Sequence, residues 1–232
     1  MPYNPDYEWA VLLGRSLVKK AISKLDDDEA GDSKEVSESF LQEEALNKLR
    51  ALLPSSNLKN KEFSIRDDLG FESSKNPCAD IVIFNPWENP ENKNVYTIAE
   101  IKRSYERSSN KKEVIQDIAR LAVLAKRRSV STYLFLCGRD VNISKLFNTS
   151  VNKYISQDSI SPAIQVGSKV LFDDLDSSYI DALTKAGVKK VKTKLLQPFS
   201  LDGYSSYVWR VQSQEDETIR DKITCWIYES KI

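Results

Sequence analysis

The chain has 232 residues, 41% hydrophobic and 29% charged, with a formal net charge of zero and no histidine. That balance suits one folded core with elaborations and excludes extended disorder, and no run approaches the roughly 18 to 20 apolar residues of a membrane span. The absence of histidine excludes histidine triads, histidine-ligated zinc and any nuclease with a histidine base, so chemistry must draw on carboxylates, lysine, tyrosine or a metal.

Cys78, Cys137 and Cys225 are odd in number and widely spaced, which predicts free thiols in a reducing compartment rather than a disulfide framework. Asp6 and Glu8 stand where a signal peptide would carry basic residues, and no small-residue cleavage site follows, so a cytoplasmic location is expected.

In chain order, Asp6 to Leu25 reads as an amphipathic helix with Leu13, Leu17, Ala21 and Leu25 at helical spacing. An acidic, glycine-containing connection follows from Asp26 to Ser33. A second helix is expected from near Ser33 or Lys34, with Ser33 as its cap, to Leu53, where Pro54 ends it. Its apolar stripe is Leu41, Ala45, Leu49 and Leu52. Glu62 to Arg66 alternates like a half-buried strand, and Asp67 to Gly70 begins a turn.

Asp80-Ile81-Val82-Ile83-Phe84-Asn85 is almost wholly apolar after its first residue and stops at Pro86, as a strand buried on both faces would. A loop of turn formers leads to a further strand, Val95 to Lys102. Lys111 to Arg128 predicts a helix bearing Ile115, Ile118, Ala122 and Ala125 along one side, and Thr132 to Cys137 a strand ended by Gly138. Beyond Asp140 the pattern weakens, to helices near Ile143 to Tyr154 and Ser178 to Ala186 and strands at Lys190 to Leu195 and Tyr204 to Val211.

The order helix, three strands, helix, strand predicts an α/β fold, a mixed sheet flanked by helices. The parts are an N-terminal helix and acidic linker (1–33), a core (34–140), and a C-terminal α+β extension (141–232) for recognition or dimerisation.

With no net charge, attraction to a polyanion has to come from patches. Between Ile101 and Arg128 nine bases, among them Lys102, Arg107, Lys111 and Lys112, face the acids Glu106, Glu113 and Asp117. Lys185 to Lys194, including Lys189 and Lys190, is a second basic run. Both are candidate phosphate-contacting surfaces, and both also read as solvated faces. Trp87, Trp209 and Trp226 read chiefly as packing residues.

An acid opens one buried strand, and Glu100-Ile101-Lys102 closes the next. Residues i and i+2 of a strand project to one face, so Glu100 and Lys102 must point together. If the strands form a hairpin, the end of the second lies beside the start of the first and Asp80 joins them. Two carboxylates and the carbonyl of Ile101 offer hard oxygen ligands suited to Mg2+. Lys102 can orient or help deprotonate an attacking water and offset charge on a phosphate. The plain alternative is a salt bridge between two surface acids and a lysine.

Asp80, nineteen intervening residues and then Glu100-Ile101-Lys102, set in that order of elements, resemble the PD-(D/E)xK, or restriction-endonuclease-like, superfamily. The resemblance covers about Lys34 to Asp140. Ala79 rather than proline precedes Asp80, with Pro77 close by. Asp80-Ile81-Val82-Ile83 and the later Ile98-Ala99-Glu100-Ile101-Lys102 look most like bacterial restriction and related defence nucleases.

The resemblance implies a further acid from the first core helix. A strand of about seven residues spans ~23 Å, the length of ~15 helical residues, and counting back from Leu53 reaches Glu38, with Glu44 the second choice. It also implies a polar residue on the helix after Lys102, where Gln116 is the candidate although it projects away from the apolar stripe.

The expected function is a Mg2+-dependent endonuclease, with Mn2+ as substitute, that hydrolyses duplex DNA as a restriction-type or defence enzyme. Asp80 and Glu100 hold metal with the Ile101 carbonyl, Lys102 serves the water, and Glu38 supports the site. A homodimer is expected, because cutting both strands calls for two sites about a two-fold axis. The alternatives are a non-catalytic nucleic-acid-binding or assembly subunit on the same fold, or a nuclease for RNA or structured DNA.

Overall fold

In the computed structural model the described residues are 5–27, 36–53, 58–59, 63–70, 77–84, 94–104, 109–143, 155–156, 163–164, 176–188, 190–196, 198–214 and 224–229. Helices α1 (Pro5–Asp27) and α2 (Glu38–Arg50) lead to the short strand β1 (Leu58–Lys59) and one helical turn, α3 (Arg66–Leu69). Next come β2 (Ile81–Phe84), β3 (Val95–Arg103), α4 (Ser109–Arg128) and β4 (Ser131–Arg139). The remainder supplies β5 (Ile155–Ser156), β6 (Ala163–Ile164), α5 (Ser177–Lys185), β7 (Lys190–Leu195), β8 (Phe199–Leu201), β9 (Tyr204–Gln214) and β10 (Thr224–Glu229).

These strands form an eight-stranded mixed sheet in the order β1-β2-β3-β4-β9-β7-β10, with β8 also on β9, while β5 and β6 pair separately. The β2–β3 pair is antiparallel and β3–β4 parallel, as a strand, crossover helix, strand unit requires. Strands β2 to β4 are apolar on both faces because helices cover both. Ile81, Ile83, Ala99, Ile101, Tyr133, Phe135 and Cys137 pack toward α1 and α2. Their strand neighbours Val82, Phe84, Ile98, Leu134 and Leu136 pack toward α4, the period-two alternation dividing one strand between two cores.

The chain after Asp140 is continuous with this sheet. Strand β9 lies antiparallel on β4 from Thr132↔Val211 to Arg139↔Tyr204, and α1 crosses it so closely that a Cβ on Gly14 would meet Ser206 Oγ at 2.9 Å and Val208 Cγ2 at 3.0 Å. Trp9 of α1 sets its ring edge-on to Tyr133, 5.1 Å between centroids. The N-terminal helix therefore seals the face on which N- and C-terminal segments meet. Among the described residues no helix is long and apolar enough to cross a membrane.

Several boundaries differ from the sequence expectation. The second helix begins at Glu38, and Ser37 rather than Ser33 caps it by accepting from the Phe40 amide. The cap is the residue that immediately precedes the helix, and with the helix starting at Glu38 that residue is Ser37. The strand expected at Glu62 to Arg66 is reduced, in its described part, to a bridge between Ser64 and Cys78 followed by the α3 turn. The strand that pairs with β2 is instead Leu58–Lys59. Alternation over five residues could not separate these two short segments.

The buried face of α4 is wider than the predicted stripe and rotated from it, taking in Val114, Asp117, Leu121 and Leu124 beside Ile118 and Ala122. Strands β5, β6, β8 and β10 have no counterpart in the sequence expectation, and most of the helix expected at Ile143 to Tyr154 lies outside the described residues. Trp209 is buried, as expected. Trp87 and the side chain of Trp226 lie outside the described residues.

Candidate active site

The register sets the site. Ile81 pairs with Ala99 and Val82 with Ile98, so one further step along the same ladder puts Asp80 opposite Glu100, on the face shared by Val82 and Ile98. Paired residues project to the same side of a sheet, and the two carboxyl groups come within hydrogen-bonding reach of each other. Lys102, two residues on, projects with them.

Asp80 is held at both oxygens. Its Oδ2 accepts from the Ile101 amide at 2.8 Å and its Oδ1 from Gln42 Nε2 at 2.8 Å. The amide and carbonyl of one strand residue point to the same edge, so the Ile101 carbonyl also projects toward the side on which Asp80 sits.

Glu38 reaches the site from the first turn of α2, around the end of the sheet. Its Oε2 accepts from the Arg103 amide at 3.2 Å, and its Oε1 lies 3.4 Å from Lys102 Nζ. The Arg103 guanidinium in turn donates to the Val36 carbonyl at 3.3 Å, which ties the entry of α2 to the end of β3.

From the opposite side α4 contributes three charged groups. Lys102 Nζ is 3.4 Å from Asp117 Oδ2 and 3.8 Å from Glu113 Oε2. Arg120 Nη2 lies 2.7 Å from Asp117 Oδ1 and 3.0 Å from Glu100 Oε1. Five carboxylates, Glu38, Asp80, Glu100, Glu113 and Asp117, thus surround two cationic side chains, Lys102 and Arg120.

Glu100 and Asp117 are buried, 2% and 5% exposed, and that burial shows in their acidity. Burial, then the neighbouring acids, holds Glu100 well above the ordinary carboxylate range despite Arg120. Burial likewise raises Asp117 against the pull of Arg120 and Lys102, and raises Glu38 against Lys102 and the Arg103 amide. Burial alone would lower the Lys102 ammonium, but Asp117, Glu38 and Glu113 outweigh it and hold the proton more tightly than usual.

Among the described residues no three or more histidine, cysteine, aspartate or glutamate side chains are gathered as a ready metal cage. The groups able to hold a hard cation are two adjacent carboxylates, Asp80 and Glu100, with the main-chain oxygen of Ile101. This donor set fits magnesium, which keeps several waters and takes one or two carboxylates from the protein. The surplus of acid over base around it is of the sign that a dication relieves.

Of the residues singled out in the sequence, Asp80, Glu100, Ile101, Lys102 and Glu38 come together. Glu44 lies on α2 without a contact to this cluster. Gln116 points elsewhere, donating to Asp176 Oδ2 at 3.1 Å; the polar residue that α4 turns into the site is its neighbour Asp117. Lys112 is exposed and paired with Asp176 at 2.8 Å. Arg107 and Lys189 lie outside the described residues, as do the side chains of Lys111 and Lys190. Part of the basic stretch serves the fold: Arg128 forks onto Asp68 at 2.9 and 2.6 Å and lies over the Phe63 ring, and Arg127 donates to the Asp67 carbonyl.

Gln42, Asp117 and Arg120 were missed as site residues. A signal existed for the first two. Gln42 lies three, four and seven positions before Ala45, Leu46 and Leu49, and Asp117 between Val114 and Leu121, each a polar residue in an apolar row where burial demands a partner.

The chain matches no family model, no curated protein and no solved structure.

Proposed function

We propose that this protein is a divalent-metal-dependent nuclease of the PD-(D/E)xK type that hydrolyses phosphodiester bonds in duplex DNA. The observation that carries this reading is the cross-strand placement of Asp80 beside Glu100, with Lys102 on the same face and both oxygens of Asp80 fixed. A group oriented in advance by hydrogen bonds loses little on binding a cation or meeting a transition state.

In this reading Asp80, Glu100 and the Ile101 carbonyl would hold Mg2+ or Mn2+, whose chemistry would be to polarise the phosphate and acidify a water. Lys102, an ammonium among acids, supplies positive charge and N–H donors to the water and to the phosphate oxygens. Glu38 keeps Lys102 aimed across the sheet end, and Gln42 keeps Asp80 in its rotamer. Asp117 and Glu113 fix Lys102 from the α4 side. The β1–β2–β3 edge with α2 and α4 forms the nuclease core, and the segment after Asp140 supplies target recognition or dimer contacts. A homodimer would meet the need to cut two strands, and an odd number of widely spaced cysteines suits the reducing cytoplasm.

The test is incubation of the purified protein with methylated and unmethylated duplex DNA, single-stranded DNA and RNA, each with Mg2+ or with EDTA, beside Asp80→Ala. Discrete duplex fragments that need both the metal and Asp80 are the expected result. The ion pairs of Arg120 with Glu100 and Asp117 favour a second reading, a non-catalytic subunit in which the cluster is a structural salt bridge. Metal-independent nucleic-acid binding without cleavage, unchanged in Lys102→Ala, would establish it in place of the first.

A further inference from the structure

The guanidinium of Arg120 stands where a bound cation would act, against the inner carboxylate of the site. One nitrogen, Nη2, serves both Glu100 Oε1 and Asp117 Oδ1. Its Nε is buried with no hydrogen-bond partner, and so are Glu100 Oε1 and Asp117 Oδ2, whose contacts to the cations are ionic only. Buried groups left in that state cost stability. A settled structural pair looks different in this same protein: Arg128 uses Nε and Nη2 as a fork on the two oxygens of Asp68, the bidentate geometry that gives arginine pairs their strength. The Arg120 contact is charge balance with bonding capacity left over.

We propose that Arg120 is a built-in counter-cation that competes with the divalent ion for Glu100, so that metal entry turns its guanidinium off that carboxylate and frees it for an anion such as the substrate phosphate. The inference rests on the nuclease reading above. A dication and a guanidinium at one carboxylate oxygen repel strongly in a buried setting, so one displaces the other. Metal affinity is held low while Arg120 is engaged. Because coupling is reciprocal, a phosphate that takes up the freed guanidinium raises metal affinity. The site then loads its metal best when DNA is present. Tyr179 of α5 and Asp80 also lie near the guanidinium.

Two measurements test this, neither depending on turnover. In the first, the guanidinium N–H resonances of Arg120 are followed in the wild-type chain during Mg2+ titration, and they shift as the ion pair breaks. In the second, calorimetric Mn2+ affinities are compared for wild type, Arg120→Gln and Arg120→Lys. The glutamine variant binds at least about tenfold more tightly, and the lysine variant, which keeps the charge, stays within about threefold of wild type. Should Arg120→Gln fail to fold, the wild-type titration decides alone. Resonances that stay fixed while the protein binds Mg2+, or equal affinities in wild type and Arg120→Gln, overturn the counter-cation role and leave the nuclease reading standing. No cation binding by wild type or by either variant overturns both.

Discussion

Gln42 Nε2, on α2, lies 2.8 Å from Oδ1 of Asp80, 38 positions later in the chain, and the other oxygen of that carboxylate is taken by the Ile101 amide. The first strand of the site is thus locked to the helix on one face and to the neighbouring strand at its edge. Rotation of the Asp80 side chain breaks two hydrogen bonds at once.

Replacing Gln42 by Ala should therefore reduce function with modest loss of stability. The side chain touches Asp80 and not the reacting atoms, so it is a positioning residue. Losing such outer-shell support typically weakens metal affinity or activity by about 10- to 100-fold. Mn2+ affinity and cleavage rate measured on Gln42→Ala should fall together, and Gln42→Glu should not rescue them, since it sets a second carboxylate against Asp80. Wild-type metal binding in Gln42→Ala would remove the residue from the site.

Lys102→Ala should lower metal-dependent cleavage by at least about a hundredfold, the usual cost of losing an electrostatic partner of the transition state. Duplex binding in Ca2+ should persist, because the remaining surface is unaltered. Single-turnover cleavage and a gel-shift assay on the same preparation separate the two effects, and equal loss of both would make Lys102 a binding residue instead.

The stability of the metal-free protein should fall as pH rises above about 4.5, the ordinary glutamate value. Burial raises Glu100, Asp117 and Glu38 in the folded state. Between the ordinary and the raised values the folded chain therefore carries more protons than the unfolded one, which makes the slope negative. The stability these groups contribute is complete below the ordinary value and is lost as pH passes through the raised ones. Thermal melts in EDTA should show the decline, Glu100→Gln should flatten it, and Mg2+ should raise Tm more at high pH than at low. A metal-free Tm that climbs with pH over that window, unaltered in Glu100→Gln, would contradict the assignment of these acids.

Gly138→Ala should destabilise the fold by about 1–3 kcal/mol, the range for overpacking a tight core. A Cβ there would sit 2.8 Å from Ser104 Cβ and 2.9 Å from the Ser104 carbonyl oxygen, and Ser104 is itself pinned by its amide to the Cys137 carbonyl at 2.8 Å. Because Ser104 ends the strand that carries Glu100 and Lys102, metal affinity should fall as well. Chemical denaturation measures the first effect and calorimetry the second; Ala at wild-type stability would mean that the strand ends are free to part.

Glu38→Gln should impair cleavage while Glu44→Gln leaves it near wild type. Glu38 touches Lys102 and the Arg103 amide, and the amide side chain of Gln cannot hold an ammonium as a carboxylate does. Parallel kinetics on the two variants decide which helix acid belongs to the site.

The sequence by itself determined two buried strands and, on the second, two side chains that share a face. Alternation is a local property of an extended chain, so Glu100 and Lys102 had to share a face, and the apolar run after Asp80 had to be a buried strand; that this strand lies beside theirs depended on a hairpin, which the register of the fold supplies. Rise per residue along the second helix put Glu38 ahead of Glu44 without deciding between them; the contacts of Glu38 with Lys102 and the Arg103 amide belong to the tertiary structure. What only the tertiary structure decided was which face of α4 meets the sheet, and hence that Asp117 and Arg120 turn inward while Gln116 goes to Asp176. The same holds for Gln42 on Asp80 and for β9 beside β4. Those placements depend on how helices rotate and dock against a sheet, an outcome of the whole packing energy spread over many weak contacts, and no short stretch of residues encodes it.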